Sequence, residues 1–401
     1  MRILPSVTCA ARRRFGVRTT VASLVTLLAP AMAFAGNGTR LPPSNFVGVR
    51  PAAMGQAFTA VADDQNALYY NPAGLARLKT WSLEIVSPLV GWNQNVTENY
   101  TSIKDITGES GTQKNSVEKI GPIIEAISGE NNYLRAGIAP YFVMPNFGLA
   151  AFAQVEAEVV PHGQAVPTII DFDFNGDTDV RMGYAHSFLG EKLAVGASVA
   201  YKERVQVILD EFSLFDLTEF TKNKEKQNEL YERYLRAGWG IGVDTGVLFT
   251  PVETWSPTLG VSVLNVGDVS FRKGGPLSGA FDEKAKGGTG IPGKIPQSVN
   301  VGASVTPTWG NWLTRASFDF RDLNLPLPAS QKPALGFEGG YRGKYVSALA
   351  QTGLAEGYLS AGFELRLLLI NIRYATYKTE RGYFPTQAPE RRHLVQLKVL
   401  L

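Results

Sequence analysis

Beyond residue 9 the chain contains no cysteine. Everything after it is therefore without a disulfide or a thiolate metal site. Histidine is nearly as scarce: His162, His186 and His393 are all there are. A hydrolase of the membrane wall needs a histidine beside a nucleophile. His186 and Ser187 are sequence neighbours, so on a strand they point to opposite faces and form no dyad. No enzyme is expected. Charge of one sign is also lacking. The 39 basic and 36 acidic side chains leave a net +3, no reason to expect nucleic acid as a partner. After residue 35 no run is apolar enough, for long enough, to cross a bilayer as a helix. Mean hydropathy is −0.04.

What is present begins with an export signal. Arg12, Arg13, Arg14 and Arg18 precede the apolar stretch VASLVTLLAPAMAFA, which ends in Ala33-Phe34-Ala35. Small residues at the −3 and −1 positions suit signal peptidase, so the mature chain is expected to start at Gly36. The competing reading is a retained membrane anchor, but the run is short and broken by Pro30. Cys9 lies in the part removed. It precedes the apolar core, so it is not a lipoprotein cysteine at the cleavage site.

From residue 80 onward the dominant period is two. In ASFDFR (316–321), Ala316, Phe318 and Phe320 share one face, and Ser317, Asp319 and Arg321 the other. LINIRYATY (369–377) sets Ile370, Ile372 and Tyr374 against Asn371, Arg373 and Ala375. VQLKVLL (395–401) sets Val395, Leu397, Val399 and Leu401 against Gln396 and Lys398. A soluble antiparallel sheet alternates in the same way. Two features favour a transmembrane barrel. The segments run about ten residues, the length of a tilted membrane-crossing strand, and the connections alternate between short and long.

The expected strands are 81–92, 133–144, 147–158, 177–188, 191–204, 236–250, 258–267, 296–307, 311–321, 333–341, 344–353, 357–366, 368–377 and 392–401. The fold class is thus all-β, a transmembrane antiparallel barrel of fourteen strands. The even number puts both ends on the short-turn side, the periplasmic one in such barrels. Asn175-Gly176 predicts a hairpin turn that extends the wall above the membrane. The same segment, DFDFNGDTD (171–179), spaces Asp171, Asp173, Asn175 and Asp179 like calcium ligands. Met182 stands where the closing glutamate belongs, so a polar hairpin is the expectation, with no metal and no cofactor. FTKNKEKQNELYERYL (220–235) and VEKIGPIIEAI (117–127) read either as short helices in outer loops, the second broken by Pro122, or equally as simple solvated loop.

One stretch fits neither strand nor long helix: MGQAFTAVADDQNALYYNPAGLARL, residues 54–78. It is too rich in glycine, alanine and apolar residues for a solvated tail. Ala52, Ala53, Gly55, Ala57, Ala60 and Ala62 suit tight packing in a confined space. Asp63 or Asp64 can cap a turn of helix through Ala67-Leu68-Tyr69. Pro72 biases Asn71 away from the helical region, so the chain turns there. A compact plug inside the barrel fits all of this.

This stretch resembles the N-terminal hatch signature of the FadL-type outer-membrane transport family. A Gly/Ala-rich segment, Ala62-Asp63-Asp64 and Asn71-Pro72-Ala73 follow one another in the family's order. GWGIGVDTGVLFTP (238–251), LGVSVLNVG (259–267) and IPQSVNVGASV (295–305) are similar to later strands of the wider family. The resemblance implies a monomeric fourteen-stranded barrel with the hatch inside, passing fatty acids, aromatic hydrocarbons and similar apolar molecules. A related branch is a non-transporting scaffold for protein secretion. The chain departs from the usual barrel pattern by ending in Leu401 rather than an aromatic.

The expected organisation is signal peptide 1–35, hatch 36–79 and barrel 80–401, located in the bacterial outer membrane. Asp63, Asp64, Asn71, Pro72 and Ala73 are the candidate gating residues. Arg315, Asp319, Arg321, Glu338, Glu364, Arg366, Arg373 and Lys398 are the candidate lumen-facing charges. These form either a polar pathway or a set of ion pairs that rigidify a narrow barrel. Pairing is expected in both cases, because an unpaired charge in a confined lumen is costly. The expected partners are outer-membrane lipid and a hydrophobic small-molecule ligand or detergent. The alternative is a scaffold barrel whose outer loops bind a protein partner.

Overall fold

The computed structural model describes residues 46–98, 131–162, 169–213, 224–285, 290–380 and 389–399. All of them belong to the compact unit Leu41–Leu401. The export signal, its cleavage site, Cys9, the 117–127 helix and Leu401 lie outside the described residues.

Segments that alternate apolar with polar or small residues pair in sequence order into fourteen strands. They are β1 (Ser82–Glu84 and Pro88–Asn93), β2 (Asn132–Ile138 and Tyr141–Met144), β3 (Phe147–His162), β4 (Ile169–Phe188), β5 (Leu193–Ser213), β6 (Leu235–Phe249) and β7 (Thr258–Leu264). Then follow β8 (Ser298–Val305 and Thr308–Trp309), β9 (Trp312–Phe320), β10 (Pro333–Arg342), β11 (Val346–Ala355), β12 (Tyr358–Leu367), β13 (Ile370–Glu380) and β14 (Pro389–Val399). Each pairs antiparallel with its neighbours in the chain. β14 returns to β1, with Val395 opposite Val90, and closes the barrel. Closure leaves neither the first nor the last strand without a neighbour, a condition for crossing a bilayer with strands.

The two faces are inverted relative to a soluble sheet. On β13, Ile372 points out and is 42% exposed, whereas Arg373 points in and is 7% exposed. Leu365, Val301 and Leu397 are likewise exposed, and Glu364, Asp319 and Lys398 buried. Apolar outside and polar inside is the pattern of an outer-membrane-type barrel. The tryptophans mark its rims. Trp81, Trp255, Trp309 and Trp312 stand exposed at the short-turn side. Trp92 stacks on His393 near the other end of the wall, and Trp239 on Tyr201. Aromatic girdles at the two membrane interfaces are the usual arrangement.

The wall is uneven in height. β9 to β13 match a single crossing, but β3, β4 and β5 have 16, 20 and 21 residues. The turn expected at Asn175-Gly176 is not there. Both residues lie inside β4, Asn175 opposite Glu156 on β3 and Gln206 on β5. Neither adopts the positive φ that a two-residue hairpin turn requires. Gln206 donates to the Asn175 side chain at 2.8 Å, so pairing on both sides overrides the local turn preference. The wall is extended, as expected, but by continuous strands. Asp171 and Asp179 are thereby separated by roughly 26 Å of extended chain, which no single calcium ion can span. The loop helix expected over 220–235 is observed as Lys224–Tyr234.

Candidate functional site

The N-terminal segment passes from the extended Gly48 into the helix Val49–Ala53, and runs on to the helix Ala67–Tyr70 and the 3-10 helix Pro72–Arg77. Its small residues are almost completely buried, among them Ala53, Ala57, Ala60, Ala62, Ala67 and Ala73. Strand glycines make the room. A Cβ on Gly246 would overlap the Asn71 side chain, and one on Gly353 would overlap the backbone at Gly55. Glycine inside a strand often marks such close approach of another backbone.

Serines and other inward groups on the wall then take up the segment's backbone. Ser360 donates to the Ala53 carbonyl at 3.0 Å, Ser317 to Ala57 at 2.9 Å and Ser304 to Ala60 at 3.1 Å. Asp319 accepts from the Thr59 amide at 2.7 Å. Arg181 donates to the Leu68 carbonyl at 2.6 Å while bound to Asp179 and Asp244 on its other side. These bonds satisfy buried backbone groups that no regular ladder serves.

Charges converge on Arg50. It is buried and holds Glu338 through two bonds of 2.7 Å. Its third nitrogen reaches Asp63 at 2.6 Å and Asp64 at 3.0 Å. Asp63 is also bound by Arg315 at 2.7 Å and approached by Arg342 at 3.4 Å. Arg315 returns to Glu338 at 3.0 Å, closing a ring of alternating charges. Asp64 continues towards Arg373 at 3.8 Å, which pairs with Glu364 at 2.9 Å. Gln65, with its amide oriented by these neighbours, accepts from Arg373 and Lys398 at 2.9 Å each. Lys398 ends the chain on Glu84 at 3.0 Å. Burial alone would lower the Arg50 guanidinium, but Asp63, Glu338 and Asp64 outweigh it and hold it well above its usual value. Burial alone would raise the Asp63 carboxyl, but Arg315, Arg50 and Arg342 hold it well below the carboxylate range.

Most of the residues expected at the site therefore meet. Asp63, Asp64, Arg315, Glu338, Glu364, Arg373 and Lys398 share one network, and Asp319 grips the same segment at Thr59. Arg321 and Arg366 stand apart. Arg321 comes no closer to Glu356 than 4.0 Å, and Arg366 donates to the Gly343 carbonyl in a short turn. Asn71 is extended before Pro72, as expected, with φ −158°. Its amide donates to the Thr59 carbonyl at 2.8 Å and reaches Val247 and Val261 on β6 and β7 at 3.3 Å, while its oxygen accepts from Ala73. The acids do not cap the helix at Ala67 directly. Asp64 accepts from the Asn66 amide one residue earlier, and Asp63 is spent on arginines. Arg50 and Glu84 were not anticipated. The one available signal was a single arginine inside the small, apolar run VGVRPAAMG, where a charge needs a partner.

No family model matches the sequence, and no curated protein does. Solved structures do. A TodX deltaS2S3 mutant monoaromatic hydrocarbon channel is 12% identical with a TM-score of 0.52, over 89% of this chain and 98% of that one. A FadL homologue of Pseudomonas aeruginosa is 11% identical with a TM-score of 0.48, over 91% and 99%. The toluene transporter TodX of Pseudomonas putida is 12% identical with a TM-score of 0.47, over 90% and 98%. At such identities the likeness is one of architecture: the chain has a FadL-type fold.

Proposed function

We propose that this chain is an outer-membrane channel for the uptake of hydrophobic small molecules, with residues 46–78 as a hatch that must shift for passage. The observation that supports it is the way this segment is held. Its contacts reach strands all round the wall, yet every one is a hydrogen bond, an ion pair or close packing. A segment joined to the wall only by its own chain, and seated in a glycine- and serine-lined cradle, can shift without unfolding the barrel. Fatty acids and aromatic hydrocarbons are the solute class, by analogy with the channels of the same fold. The protein acts as a monomer and carries no cofactor.

The scaffold reading has one observation on its side. Ion pairs, joined through Gln65, run from Glu84 to Arg342 by way of the segment, and such a filling also suits a barrel that never opens. Flux separates the two. Purified protein is placed in liposomes as wild type and as the double variant Asn71→Ala, Pro72→Ala. The variant removes the Thr59, Val247 and Val261 contacts and frees the turn. A channel shows toluene flux that changes in the variant. A barrel that folds normally but passes no apolar solute in either form is the scaffold.

A further inference from the structure

The wall and the N-terminal segment leave a cavity of about 310 Å³ between them, lined in part by the turns 189–192 and 250–257 on the short-turn side. Arg77 enters it from the end of Pro72–Arg77 and is half-buried. Its guanidinium donates to the Ala60 carbonyl at 3.3 Å, to Thr258 Oγ1 at 3.1 Å and to Thr250 Oγ1. All three acceptors are neutral. Arg50, Arg181, Arg204, Arg315 and Arg373 each hold a carboxylate. Among the described residues Arg77 forms no ion pair.

The nearby acids are already committed. Asp63 is bound by Arg50 and Arg315. Glu191 is bound by Lys79 at 3.2 Å. Glu253 stands exposed at the rim, as does Lys192. A cation withdrawn from water without an ion-pair partner is costly: burial pulls the Arg77 guanidinium down to about 10, with Arg315 adding to the fall and Asp63 offsetting only part of it.

We propose that this cavity binds a small organic anion, a carboxylate carrying a short apolar body, with Arg77 as its counter-charge. The guanidinium hydrogens not spent on Ala60, Thr250 and Thr258 leave it able to give a carboxylate a charge-assisted hydrogen bond. Val61, Pro251 and Val252 line the cavity and offer apolar contact for the body. Lys192 at the rim draws anions in. On the channel reading, on which its role in transport rests, the site lies on the exit side of the hatch and selects, within the solute class, acids over neutral hydrocarbons.

The test is calorimetric titration of the detergent-solubilised full chain with benzoate, and in parallel with toluene and inorganic phosphate. Wild type binds benzoate saturably. Arg77→Gln weakens it about tenfold or more, since hydrogen bonds between charged groups are lost. Lys192→Glu, at an exposed position that cannot disturb packing, weakens it severalfold, and more so at low salt. Absence of saturable benzoate binding overturns the proposal. So does equal affinity in wild type and both variants, or phosphate binding as tightly as benzoate. Toluene flux in liposomes is read separately. Flux without benzoate binding removes the site and keeps the channel; binding without flux does the reverse.

Discussion

Arg50 sits where three carboxylates meet, and one of them, Glu338, is completely buried. Replacing it by methionine keeps the length of the side chain and removes the charge. Glu338 then keeps Arg315 but loses both bonds to the segment, and Asp63 and Asp64 lose their common partner. Breaking a buried pair in this way costs about 3–5 kcal/mol. The cost falls on the docking of residues 46–78 rather than on the strand ladder. Hydrogen exchange should therefore quicken in the segment and stay slow in β9 and β10. Acid acts on the same lock through Asp63. Its carboxyl is held below its ordinary value in the folded state. Its contribution is thus fully present above the unfolded value of about 4 and is lost only as pH falls through the depressed one. Dye leakage from liposomes should be flat from neutral pH to about 4 and rise only below. Opening at pH 5 to 6 that persists in an Asp319→Asn variant, where the other acid gripping the segment no longer titrates, would falsify this assignment of the lock.

At the scale of a strand, the alternation on β13 makes neighbouring positions chemically opposite. Ile372 faces lipid and pairs across the strand with Leu365 and Leu397. Ile372→Arg is expected to cost about 2–4 kcal/mol if the position lies at mid-membrane depth, read by urea unfolding in lipid vesicles. Arg373→Ile has a different penalty. Arg373 pairs with Glu364 at 2.9 Å and touches Gln65, so its loss strands an acid in the lumen and loosens the segment. The first change should lower barrel stability with the segment in place. The second should release the segment from a barrel that still unfolds cooperatively. Equal effects on both readouts would mean that the register is wrong.

For the whole molecule, closure through β14 and β1 makes the wall one cooperative ladder. The mature protein, starting at Gly36, should fractionate with the outer membrane and migrate faster in gels before boiling than after it. Recovery in the inner membrane with an intact N-terminus would rule out both the cleavage site and the membrane assignment. Disulfide reagents should leave the mature form untouched, since the only cysteine precedes the expected cleavage site.

Much of this architecture was legible residue by residue. Period-two alternation located all fourteen strands, because a wall between lipid and a polar lumen forces every second side chain outward. The run of small residues around Ala62-Asp63-Asp64 and Asn71-Pro72 identified a packed segment, because nothing else in a barrel needs so many missing side chains. Which partners those residues take was decided by the tertiary structure alone. Arg50 and Glu338 are 288 positions apart, and no local pattern ties one to the other. The same holds for Lys398 and Glu84, 314 positions apart and joined at the seam where the last strand meets the first, and for Arg77, whose lack of an ion pair shows only once its surroundings are assembled. Asn175-Gly176 marks the limit from the other side. Its local preference for a turn is worth little against two continuous ladders of strand pairing. Short-range chemistry determined which segments are wall and which are filling; the register of the closed barrel determined which charges meet.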